Sequence, residues 1–183
     1  MNPTTYRLQS IALVPIGQVD ERSLSVLKES LPDRLSGAHC RIAEMRVDLE
    51  ESFNPRSGQY HASRILAALE KRAKDVEADR LLGVTDLDLY APNMNFVFGE
   101  ARLPGRVAVV STHRLRGTTG CGGPELFPTR VIKEAVHELG HTLGLAHCVT
   151  ATCVMYFSNS LTDTDRKGED YCERCHKKLG IQG

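Results

Sequence analysis

Tryptophan is absent from the 183 residues, and there are only five phenylalanines and five tyrosines. The 23 basic residues are cancelled by 23 acidic ones. A chain with so few aromatics and no excess of positive charge lacks both the stacking surfaces and the basic stripe used by nucleic-acid binders. Long apolar runs are also missing. No stretch approaches the roughly 20 residues of a membrane-spanning helix. The opening "MNPTTYRLQSIALVPIG" has one basic residue, Arg7, and a short apolar run without a small-residue cleavage site, so no secretory leader is expected. There are no repeats and no low-complexity tract. These absences lead us to expect a cytoplasmic protein, a monomer, with neither nucleic acid nor membrane as partner. In a reducing compartment its six cysteines are metal ligands or core residues before they are disulfides.

What is present is an ordinary globular composition, 41% apolar and 25% charged, in a chain of one-domain length. Ile11–Gly17 is an apolar run closed by proline and glycine, a buried strand. Leu24, Leu27, Leu31 and Leu35 recur at helical spacing, and Pro32 should end or bend that helix. Ile42, Val47 and Leu49 alternate as in a second strand, with Cys40 just before it as a core residue. After the "NPRSG" turn, residues 59–80 read as one long helix. "LLGVTDLDLY", "NFVFGEAR" and "RVAVVST" supply further strands, the last two joined by "LPG". The sum is an α/β (α+β) domain, a mixed twisted sheet with packed helices. A long Gly/Thr/Pro-rich loop then leads into the helix "TRVIKEAVHELGHTLG". The tail after it is poor in apolar periodicity and needs another stabiliser.

His137 and His141 lie one helical turn apart on one face, the spacing two imidazoles need to reach a single zinc. Val131, Ala135, Leu139 and Leu143 form a stripe rotated away from them. Glu138 is poorly placed to ligate the same ion but well placed as a general base beside a water. Gly144 can end the helix in a left-handed turn and so return His147 as a third ligand. Three histidines leave a position open for water, as catalytic zinc sites do. A bare H-E-x-x-H is weak. With 15 glycines and 7 histidines in the chain, the added Gly and His at fixed offsets arise by chance about 0.3% of the time.

Cys148, Cys153, Cys172 and Cys175 follow a C-x4-C, C-x2-C pattern that suits a closed four-thiolate zinc site. Such a site would stabilise the core-poor tail by on the order of 10 kcal/mol. Asp163 or Thr162 is a candidate cap for a helix carrying Cys172 and Cys175. Two disulfides are one competing reading, and four unrelated core cysteines, which the core-poor tail disfavours, are the other. Cys121, in the loop before the histidine helix, is not expected to reach the metal. His39, His61, His113 and His176 have no paired spacing and read as surface or satisfied histidines.

The pattern H-E-x-x-H-x-x-G-x-x-H, with Met155 downstream in "CVMYFSN", resembles the metzincin metallopeptidases. With the four cysteines it resembles one branch of them, the archaemetzincins. That resemblance implies a compact metzincin-like domain (residues 1–143, then a C-terminal subdomain over 144–183). It also implies Met155 in a tight turn beneath the metal and two zinc ions per chain, one catalytic and one structural. A peptide or protein substrate would be aligned on an edge strand, for which "NFVFGEA" is the candidate, and hydrolysed by a zinc-activated water, with Glu138 as general base. Both endopeptidase and aminopeptidase activity are compatible with it. The alternative is a zinc-stabilised interaction module without activity. His147 and Cys148, neighbours in an extended segment, would face opposite ways and serve different ions.

Overall fold

The computed structural model describes residues 8–117 and 123–180. Its centre is a five-stranded sheet in the order β2-β1-β5-β8-β7, made of β1 (Ser10–Ile16), β2 (His39–Ile42), β5 (Arg80–Thr85), β7 (Gly99–Ala101) and β8 (Val107–Ser111). The first four in that order run parallel, and β7 is antiparallel to β8 at the edge. Three very short strands, β3 (Phe53–Asn54), β4 (Gln59–His61) and β6 (Leu89–Tyr90), form a second sheet in the order β3-β4-β6.

Both faces of the main sheet are covered, which is why its strands read as unbroken apolar runs. Ile11, Leu13, Leu82, Val84, Ala108 and Val110 face helices α1 (Glu21–Arg34) and α3 (Phe127–Thr142). Their alternates Ala12, Val14, Leu81, Val107 and Val109 face α2 (Ala62–Arg72). The tail joins the first of these clusters through Leu145, Val154, Met155, Leu161 and Tyr171, so it brings more core than its weak periodicity suggests. Among the described residues no helix is long and apolar enough to cross a membrane.

The structure corrects several expectations. Pro32 sits inside the last turn of α1, which runs on to Arg34. The second strand stops at Ile42, and Cys40 lies within it. Beyond Ala43, whose N–H bonds Leu13, the chain leaves the sheet, and Met45, Val47 and Leu49 only pack against the α2 side. The long helix of residues 59–80 is three elements. Tyr60 and His61 pair with Leu89 and Tyr90, α2 starts at Ala62, and Arg80 already belongs to β5. Pairing with a strand remote in sequence overrides the local helical preference there. The expected tail helix is two. Ser160 caps α4 (Leu161–Arg166) by accepting from the Asp163 N–H, while Cys172 precedes α5 (Glu173–Leu179). Thr162 and Asp163 therefore lie inside α4 and cap nothing near the cysteines.

Candidate metal centres

Helix α3 starts two residues earlier than expected, with Pro128 in its first turn where a missing N–H costs nothing. Every residue from Arg130 to Gly140 is buried. Val131, Ala135 and Leu139 enter the core as their spacing requires. Past the helix, Gly144 adopts φ +94, and the Leu145 N–H reaches back 3.0 Å to the Gly140 carbonyl. This is the glycine-terminated helix end in which late amides satisfy the last carbonyls. It turns the chain so that His147 returns to the helix.

The nitrogens of His137, His141 and His147 all lie within 4.8 Å of one another. The Nε2 atoms of His137 and His141 are 3.1 Å apart. Their Nδ1 atoms meet backbone carbonyls, His137 with Val154 at 2.8 Å and His141 with Leu145 at 2.7 Å. An Nδ1–H donated to a carbonyl leaves the Nε2 lone pair free, the usual outer support of a metal-ligating histidine. The ring of His147 leans on Phe157, centroids 5.0 Å apart. Burial lowers the proton affinity of all three rings, and the Lys167 charge adds to this at each of them. Met155 is fully buried in a tight turn, closed by the Tyr156 N–H on the Cys153 carbonyl at 2.9 Å. A Cβ on Gly140 would lie 2.4 Å from its sulfur, so this glycine, at an unspecified position of the histidine motif, is what lets Met155 seat under the helix.

Glu138 is 5% exposed and its Oε2 has no hydrogen-bond partner among the described residues. Burial, then the charge of Glu134, raises its pKa well above the usual carboxylate value. It borders a cleft of about 250 Å³ that also exposes the three histidines, Phe96, Phe98 and Phe157. The cleft's other wall is the segment leading into β7, at the sheet edge. Only Gly99–Ala101 of the expected strand is regular. Gly99 presses on the acid, since a Cβ there would sit 2.6 Å from Glu138 Cγ and 2.6 Å from the Val109 carbonyl.

The four sulfurs of Cys148, Cys153, Cys172 and Cys175 form a second cluster within 4.8 Å. Cys148 stands 3.8 Å from Cys172, and Cys153 stands 3.8 Å from Cys175. These thiols are free. Burial opposes ionisation of Cys148, yet hydrogen bonds from Thr150, Arg174 and Cys172 bring it down to about 6. The Cys148 N–H bonds the Met155 carbonyl at 2.9 Å, so the two clusters share one short piece of backbone. His39 and His113 are exposed, His61 and His176 half-buried, and none joins a donor cluster among the described residues. Cys121 lies outside the described residues.

Sequence reasoning missed a row of buried charge beside the histidines. Arg130, fully buried, makes two hydrogen bonds to Asp165, at 2.6 and 2.9 Å, and donates to the Leu115 and Gly117 carbonyls. Lys133 donates to the Thr164 and Asp165 carbonyls. Glu134 is 3.0 Å from the Lys167 ammonium and accepts from Thr164 Oγ1 at 2.7 Å. The only available signal was three charges on a helix that must be buried to present histidines to a cleft.

Two convergent donor clusters, one opening on the cleft and one enclosed, are built where α3 meets the tail of an α/β domain, and each could hold a metal ion. The chain belongs to the archaemetzincins, "Peptidase family M54", whose family model matches residues 35–180. An archaemetzincin of Methanocaldococcus jannaschii is 40% identical over 179 residues, 96% of each chain. The crystal structure of archaemetzincin from Methanopyrus kandleri superposes with a TM-score of 0.82 at 41% identity, covering 98% of this chain and 97% of that one. A zinc-dependent peptidase from Methanocorpusculum labreanum, 28% identical, gives 0.81 over 93% of this chain and 100% of that one.

Proposed function

We propose that this chain is a zinc-dependent peptidase, with a catalytic ion held by His137, His141 and His147 and a structural ion held by Cys148, Cys153, Cys172 and Cys175. The donor sets suit these ions. Zinc–sulfur bonds of about 2.3 Å at tetrahedral angles put neighbouring sulfurs about 3.8 Å apart, and both measured pairs stand at 3.8 Å. A disulfide would need about 2.05 Å. Zinc–nitrogen bonds of about 2.0–2.1 Å give edges of about 3.3 Å, near the 3.1 Å between His137 and His141. Four thiolates close their site, whereas three imidazoles leave theirs open to the cleft.

Zinc in the open site supplies a Lewis acid that polarises a carbonyl and acidifies water. The chain's own residues do the rest. Glu138 takes a proton from the attacking water and delivers it to the leaving amine. Its raised proton affinity suits a group that must hold that proton between the two steps. The free edge of β7 can align an extended peptide through backbone hydrogen bonds, with the phenylalanines of the cleft taking apolar side chains. The observation that carries the reading is Oε2 of Glu138, without a hydrogen-bond partner among the described residues and buried beside an open imidazole triad. A purely structural site has no use for a desolvated acid. The test is hydrolysis of a diverse peptide mixture by the zinc-loaded chain against Glu138→Gln. Cleavage lost in the variant supports the peptidase. Equal inertness of both would leave the non-catalytic module.

A further inference from the structure

His137 is held between two groups that make opposite demands on one nitrogen. Its Nδ1 lies 2.8 Å from the Val154 carbonyl and 3.4 Å from the Lys167 ammonium. A neutral imidazole carries a single N–H. If Nδ1 bears it, Nδ1 donates to Val154 and Nε2 keeps its lone pair for a metal. If Nδ1 instead accepts from Lys167, the proton sits on Nε2 and blocks ligation. The two arrangements exclude each other. Lys167 is fully buried, and its nearer partner is Glu134 Oε1 at 3.0 Å. Glu134 is itself fixed by Thr164 Oγ1 at 2.7 Å. Thr164 and Lys167 come from α4 and the residue after it, so one short element presents both the competing donor and the group that steadies its captor.

We propose that Glu134 is a positioning residue for His137: by engaging the Lys167 ammonium it reserves Nδ1 of His137 for the Val154 carbonyl and keeps Nε2 open to the metal. This rests on the reading of His137 as a zinc ligand. It differs from a merely structural ion pair in one respect. A structural pair fails alike whichever partner is removed, because either loss leaves a buried charge alone. In the positioning account the two losses are unequal. Without Glu134, Lys167 turns to His137. Without Lys167, the competing donor is gone.

The test compares the full chain with Glu134→Gln, Lys167→Met and the double variant. Zinc affinity of the histidine site is read by chelator competition, with the cysteine site as an internal check on folding. Nitrogen-15 NMR of labelled histidines reports which nitrogen bears the proton once the open site is stripped. Glu134→Gln should weaken histidine-site zinc about 10–100-fold, the range for outer-shell partners, and move His137 toward the Nε2–H form. Lys167→Met should bind near wild type, and the double variant should recover. If Glu134→Gln does not fold, Thr164→Val should show the same shift at smaller size. Equal weakening by the two single variants, or none by Glu134→Gln or Thr164→Val, overturns the proposal. Wild-type chain that takes no zinc at its histidines would instead overturn the functional reading beneath it.

Discussion

Gly99→Ala puts the contact between the edge strand and the general base under direct strain. The added Cβ would be 2.6 Å from both Glu138 Cγ and the Val109 carbonyl oxygen, where non-bonded carbon contacts prefer about 3.5–4.0 Å. Val109 is backbone of the neighbouring strand and gives little, so the acid or the strand must move. Overpacking of this kind costs about 1–3 kcal/mol. Removing a glycine from a strand returns about 0.5–1 kcal/mol. The net expectation is a loss of about 1–2 kcal/mol, or roughly 2–8 °C in melting temperature for a chain of this size. A shift of Glu138 by about 1 Å lowers kcat on the order of 100-fold, while zinc binding should persist, because Glu138 is not a ligand. Thermal unfolding of the zinc-loaded protein and turnover of any cleaved peptide read the two effects. A Gly99→Ala chain as stable and as active as wild type would refute the packing of β7 on Glu138.

Two other substitutions probe buried groups away from the cleft. Arg130→Met strips buried Asp165 of its paired guanidinium, and urea unfolding should record a loss of about 3–5 kcal/mol. Cys40 tests a pH dependence: burial pushes its thiol up to about 11 from 9.0 against the opposing pull of Lys28. Between those values the unfolded chain has released the proton and the folded chain retains it. Stability therefore falls as pH rises, by about 2 kcal/mol between pH 9 and pH 11. In Cys40→Ala that part of the slope should vanish when urea midpoints below pH 9 and near pH 11 are compared.

The two donor clusters were legible because their spacing is local. Four residues of helix place His137 beside His141, and Gly144 can reverse the chain within one turn. Cys148, Cys153, Cys172 and Cys175 were legible as a set because C-x4-C and C-x2-C spacings together suit one four-thiolate site. What escaped depends on contacts remote in sequence. Glu134 is an ordinary helix residue until Thr164 and Lys167 are brought to it. Gly99 and Gly140 carry no signal without Glu138 and Met155 in contact. The segment Gln59–His61 favours helix locally and becomes a strand because residues 89 and 90 pair with it. The edge position of β7 is a matter of strand order, which the pattern of "NFVFGEA" does not contain.

Metal content bears most directly on the division of "HELGHTLGLAHC" between two centres. Elemental analysis of the purified chain, before and after brief dialysis against a mild chelator, should find two zinc ions falling to one. The retained ion should be lost only when the cysteines are alkylated or the chain is unfolded. A single zinc that resists the chelator, or two released together, would contradict an open histidine site joined to a closed cysteine site.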